Sequence, residues 1–219
     1  RMLRRFQAAA VVLQAELAPL HAMVDDSQCR VALVSNGVDC AYNRPGLTQG
    51  RPNTLVYNGS MTYSANYDAM QWFLAEVYPR IKAEQPGVSL TITGSTRNVN
   101  LAGLALDDSV TLTGFVDDVR IPVAEAAVCV VPIHQGGGTR LKILEAMALG
   151  TPVVATSKGA EGLDVVDGDH LLLADDPATF AARTVELLGN LDLHQYLATN
   201  ARCLVEERYD WEQIGRRFV

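Results

Sequence analysis

A chain of 219 residues, 48% hydrophobic and 20% charged, has the make-up of an ordinary globular protein with room for one domain, a substantial core and an appendage. Its formal net charge of -7 leaves no excess of Lys and Arg to neutralise a phosphate backbone. This argues against a general nucleic-acid binder, so any phosphate is expected to be bound locally. No run approaches the length of a membrane span, and no signal peptide is expected in the first residues. Cys29, Cys40, Cys129 and Cys203 lack C-x-x-C spacing, which suggests a reducing, cytoplasmic setting. A chain that begins at Arg1 is expected to be a fragment or a processed form.

In chain order, Leu3, Phe6, Ala10, Leu13, Leu17 and Leu20 recur at near-helical spacing and predict a helix from Arg1 to about Ala22. Such a helix packs on a neighbouring domain or, with Arg4 and Arg5 near its start, lies on a membrane surface. Arg30 to Val34 reads as a short strand closed by the turn Asn36-Gly-Val-Asp39, and Cys40 to Asn53 reads as a linker. A second series begins at Thr54–Asn58, a strand, followed by a helix over Asn66–Ala83 with Met70, Phe73, Leu74, Val77 and Ile81 on one face. Val88–Thr93 is the next strand, Val99–Leu106 a short helix, Val110–Thr113 a strand, and Asp118–Ala127 a helix. Ala127–Val131 and Pro152–Ala155 are apolar runs typical of strands buried on both faces. One more strand is expected at His170–Ala174, two helices between Pro177 and Glu207, and a last helix from Trp211. Strands alternating with helices through short glycine-bearing loops predict a doubly wound α/β fold with a parallel sheet, Rossmann-like.

The densest stretch lies between the two apolar strands. Gly136, Gly137 and Gly138 let the backbone approach a ligand, and the helix that follows would aim its N–H groups and positive dipole end at an anion. That helix is apolar nearly all round, yet carries Glu145 in its middle. Lys142 is a weak intrahelical partner for this carboxylate, so Glu145 is expected to accept hydrogen bonds from ligand hydroxyls beside the anion site. In a doubly wound sheet the ligand lies beyond the carboxyl ends of the strands, where Gly59, Ser60, Gly94, Phe115, Val116 and His134 would gather. No P-loop, strand-first G-x-G-x-x-G or metal-ligand spacing is present. An anion pocket beside one carboxylate suits a diphosphate on a ribose, that is, a sugar nucleotide.

At these residues the sequence resembles the C-terminal donor-binding domain of family 4 glycosyltransferases of the two-domain GT-B architecture. The likeness runs from about residue 30 to the end, through Thr113–Val116, Val130–Pro132, Gly138–Ala148, Gly150–Val154, Gly159–Gly162 and Tyr209–Glu212, with Asn36–Asp39 similar to the interdomain segment. It implies that Glu145 holds the nucleotide ribose, as the second glutamate of the family's E-x7-E motif, and that Phe115 and Val116 lie beside the base. It also implies retaining sugar transfer from a nucleotide diphosphate sugar to a glycan or lipid-linked acceptor, with no metal and no resident cofactor. Two positions depart from the family pattern. Gly137 stands where the first glutamate belongs, and Ser60 and Asn66 stand near the expected Arg and Lys. Arg140 and Lys142, with Thr139 and the N–H groups of Gly136 to Gly138, are therefore expected to supply charge to the diphosphate, and His134 to reach sugar or phosphate.

The resemblance further predicts residues 1–50 as a remnant of a missing acceptor lobe, residues 51–219 as the donor lobe, and little turnover by the chain alone. Any peripheral contact with the inner membrane face would come through the absent lobe. A noncatalytic nucleotide-sugar-binding module and a nucleotide-sugar epimerase are the alternatives.

Overall fold

The computed structural model describes residues 6–23, 29–138 and 140–218. Six parallel strands form the central sheet: β3 (Arg51–Asn58), β4 (Ser89–Thr93), β5 (Val110–Gly114), β6 (Ala126–Val131), β7 (Val153–Ala155) and β8 (Leu172–Leu173). Their spatial order is β5-β4-β3-β6-β7-β8. Every crossover but the one from β7 to β8 carries helix or a helical turn among the described residues. Between β3 and β4 lie α2 (Ser64–Trp72) and α3 (Tyr78–Glu84), joined by a π-helical turn over Phe73–Val77, and α4 (Arg120–Glu125) precedes β6. The wider turn keeps Phe73, Leu74 and Val77 in the core just before Pro79, which has no N–H to give to the preceding turn. After β6 come α5 (Leu141–Leu149), then α6 (Pro177–Gly189), α7 (Leu191–Arg208) and α8 (Trp211–Phe218) beyond the last strand.

Both faces of the sheet are buried along β6 and β7, which explains their unbroken apolar runs, while Thr111 and Thr113 on the edge strand β5 stay exposed. Val56, Cys129, Val131, Val153 and Ala155 pack with α5 and α7 on one face, and Leu55, Tyr57, Val128, Val130 and Val154 pack with α2, α3 and α6 on the other. α5 ends where Gly150 takes a left-handed φ of 79° and the Thr151 N–H returns to the Ala146 carbonyl. Asp176 caps α6 through the Ala178 and Thr179 amides, and Asn190 caps α7 through Leu193.

Several sequence expectations are corrected. The helix predicted from Arg1 to Ala22 is instead a strand, β1 (Ala8–Val11), followed by α1 (Gln14–Met23); residues 1–5 lie outside the described residues. β1 pairs in parallel with β2 (Arg30–Leu33), and this ladder overrides both the helical spacing and the helix preference of Ala8, Ala9 and Ala10. The predicted linker is no loose tether. Arg51–Asn53 already belong to β3, and the Arg202 guanidinium pins the earlier part by donating to the Cys40 carbonyl at 2.9 Å and the Asn43 carbonyl at 2.6 Å. The helix expected over Val99–Leu106 is a single 3-10 turn, Leu101–Gly103, capped by Asn100. The strand expected over His170–Ala174 shortens to Leu172–Leu173, because Leu171 is taken by a bridge to Asp167. Ala126 is strand rather than helix, paired with Arg51.

Candidate functional site

The chain passes from β3 toward β4 and β5 on one side and from β6 toward β7 and β8 on the other. The connections therefore diverge above the adjacent carboxyl ends of β3 and β6, the place where doubly wound sheets carry their ligand crevice. β3 delivers Asn58, Gly59 and Ser60 to this crevice, β4 delivers Thr93 and Gly94, and the loop after β6 delivers His134 and the three glycines. α5 begins beside them with Lys142 and Glu145.

Lys142 points neither to solvent nor to Glu145. Its Nζ crosses to β3 and donates to the Tyr57 hydroxyl at 3.0 Å and to Asn66 Oδ1 at 3.1 Å, lying 4.2 Å from the centre of the Tyr57 ring. The Tyr57 hydroxyl donates in turn to Asn66 Oδ1 at 2.7 Å, and Asn66 Nδ2 holds the Ser60 carbonyl at 2.9 Å. A Cβ at Gly59 would sit 2.8 Å from the ammonium and 2.9 Å from Asn66 Nδ2, so a side chain there would displace one or both. Burial, aided by the Arg140 charge, pulls the Lys142 pKa down to about 8, against the opposing pull of Cys129 and Glu145. The lysine is thus charged at neutral pH in a place that disfavours charge.

One turn further along α5, Glu145 Oε2 accepts from Asn58 Nδ2 at 3.3 Å. Burial raises its pKa above the ordinary carboxylate value, and the Lys142 charge works in the opposite direction. Arg140, only 7% exposed, turns under the glycine loop. It donates to the Gly136 carbonyl at 3.1 Å and the Gly137 carbonyl at 3.4 Å, and faces Glu161 at 3.5 Å, while its buried Nε meets no acceptor among the described residues. Gly136 and Gly138 hold φ of 100° and 90°, and Gln135 anchors the loop to Asp68 on α2. Thr139 lies outside the described residues.

The remaining expected residues divide by neighbourhood. Ser60 donates to the Ser95 carbonyl at 3.1 Å and stays at the crevice rim. Gly94, at φ 120°, would drive a Cβ within 2.6 Å of the Gly59 backbone, so it shapes the site by letting two strand ends touch. His134 leans edge-on against Trp72 with ring centroids 4.3 Å apart, on the α2 side of the loop. Phe115 is 79% exposed beyond the end of β5, with Val116 half-buried next to it. Tyr57 was absent from the expected set; it lies at an interior position of an apolar strand and carries no sequence mark of its bond to Lys142. Among the described residues, no three His, Cys, Asp or Glu side chains are grouped to hold a metal ion, and no helix is long and apolar enough to cross a membrane.

An ammonium and a carboxylate one helical turn apart thus lie at the switch point of a doubly wound parallel sheet, the place where α/β lobes of this class carry their ligands. Residues 52–190 match the family model described as Glycosyl transferases group 1, and the chain belongs to that family. Among curated relatives, a phosphatidyl-myo-inositol mannosyltransferase of Mycolicibacterium smegmatis is 30% identical over 196 residues, covering 85% of this chain and 50% of that protein. Among solved structures, a glycosyltransferase from Rickettsia africae superposes with a TM-score of 0.76 at 16% identity, over 99% of this chain and 62% of its own. Anabaena HepE, solved in complex with UDP and glucose, superposes with a TM-score of 0.70 at 17% identity, over 97% and 61%. The chain spans about half the length of the curated relatives it matches.

Proposed function

We propose that this chain is the donor-binding lobe of a retaining glycosyltransferase that takes a nucleotide diphosphate sugar and passes its sugar to a glycan or lipid-linked acceptor. The observation that carries the reading is the placement of Lys142 and Glu145 on successive turns of α5 at the switch-point crevice. The structure of HepE with UDP and glucose and the name of the mannosyltransferase relative support it. In this reading Glu145 receives the ribose hydroxyls. Lys142 supplies the charge that the loop after β3 lacks at Ser60 and Asn66. Arg140 braces the glycine loop from below and adds its own charge.

Departure of the nucleoside diphosphate leaves negative charge on its terminal phosphate as the glycosidic bond breaks. In this reading the Lys142 ammonium and the N–H groups of the glycine loop stabilise that charge. No metal is required, because these donors take the part a divalent cation would play. The acceptor is held by a second lobe, so the chain alone binds donor and turns over little of it.

Titration of the chain with UDP, GDP and ADP, followed by unfolding midpoint and calorimetry, tests the reading. One nucleoside diphosphate should raise the midpoint by several degrees at saturation, and its monophosphate distinctly less. Arg140→Ala should weaken diphosphate binding about tenfold by unbracing the loop. No shift with any nucleoside diphosphate would remove the donor site from this chain.

A further inference from the structure

β3 and β4 run parallel with Asn58 directly opposite Thr93, so both side chains leave the sheet on one face. It is the face that α5 covers, since Val56, two residues before Asn58, packs in one cluster with Ile143, Leu144 and Met147. Thr93, fully buried, donates its hydroxyl to Asn58 Oδ1 at 3.3 Å, and Asn58 Nδ2 donates to Glu145 Oε2 at 3.3 Å. The direction of this chain follows from its end. A carboxylate only accepts, so the amide must present its NH2 to Glu145 and its oxygen to a donor, and the threonine hydroxyl is that donor.

We propose that Thr93 and Asn58 are positioning residues, a two-link relay that holds the Glu145 carboxylate with Oε2 occupied and Oε1 turned to the ribose of a bound nucleotide. The relay rests on the donor-binding role of Glu145 argued above. Lys142 lies three residues earlier on the same helix, within the i, i+3 spacing at which side chains meet. A carboxylate free to rotate would swing toward that ammonium and away from the ribose, while Tyr57 and Asn66 keep the ammonium where the diphosphate needs it. Asn58 prevents this by holding Glu145 from the strand side, while Tyr57 and Asn66 hold Lys142 on the other. Two adjacent strand residues thus keep two opposite charges apart.

Calorimetric titration of the full chain with UDP, GDP and ADP, each beside its 2′-deoxy form, tests the relay through a ratio that general damage to the fold does not change. The unaltered chain should bind one ribonucleotide about tenfold more tightly than its deoxy form. Asn58→Leu and the isosteric Thr93→Val should bring that ratio close to one while leaving affinity for the deoxynucleotide within about twofold, and Thr93→Ser should restore it. If the unaltered chain prefers ribose and both variants keep the preference, or lose ribo- and deoxynucleotide affinity equally, the relay is overturned and the donor-binding reading stands. A chain that binds no nucleoside diphosphate, or shows no ribose preference at all, overturns the role of Glu145 and the relay with it.

Discussion

Lys142→Met should make the protein more stable and worse at binding nucleoside diphosphate. The ammonium is held where burial lowers its pKa to about 8, so at pH 7 the folded state bears the cost of charging it, on the order of 1–3 kcal/mol. Methionine fills a similar volume without charge, and the Tyr57 hydroxyl still donates to Asn66 Oδ1, so each of the two oxygens keeps one hydrogen bond. The unfolding midpoint should rise by several degrees. Affinity for the nucleoside diphosphate should fall roughly thirtyfold or more, the effect of losing a charge-assisted contact in a partly desolvated site. Between pH 8 and the unfolded lysine value of 10.5, the unfolded chain holds a proton that the folded chain has released. Stability of the unaltered protein from this group therefore rises with pH across that window. Binding runs the other way, because the diphosphate needs the charged amine: affinity should drop as pH passes upward through about 8, and this drop should vanish in Lys142→Met. Urea unfolding and calorimetry at pH 7 and pH 9 read both effects.

Glu145→Gln should lower affinity for the ribonucleotide about tenfold and leave its 2′-deoxy form much less affected, since a neutral amide oxygen accepts more weakly than a carboxylate. The fold should not suffer. Burial raises the Glu145 pKa in the folded state, so its ionised form detracts from stability at neutral pH, and the stability linked to its proton is present at low pH and lost as pH rises through the raised value. Acid should accordingly weaken nucleotide binding at a higher pH than an ordinary glutamate would, a limb that the glutamine variant lacks. With the Lys142 limb near pH 8, affinity in the unaltered chain should pass through a maximum between the two. Equal losses for ribose and deoxyribose would take Glu145 off the ribose.

The sheet could be read from the sequence wherever strands are buried on both faces, as at Ala127–Val131 and Pro152–Ala155, because burial on both sides forbids polar interruption. The carboxylate on α5 was legible for the same reason: Glu145 is conspicuous among Ile143, Leu144, Ala146 and Met147. The destination of Lys142 was not. Its partners Tyr57 and Asn66 lie 85 and 76 residues away, and its ammonium sits where a side chain on Gly59 would crowd it. Arg140 shows a related limit. Its position before the helix is apparent in the sequence, but its turn toward the Gly136 and Gly137 carbonyls depends on the loop's own path. β1 escapes the sequence because Ala8, Ala9 and Ala10 favour helix, and only pairing with Arg30–Leu33 overrides that preference. Local pattern reports which face is buried; contacts between distant segments decide which polar groups meet.

A crystal structure of the chain grown with the nucleoside diphosphate that binds it measures the crevice directly. A diphosphate oxygen should lie within hydrogen-bond distance of Lys142 Nζ above Gly59, with a ribose hydroxyl on the free oxygen of Glu145. A nucleotide lodged away from the ends of β3 and β6, or one seated there with Lys142 still bound only to Tyr57 and Asn66, would contradict the assignment.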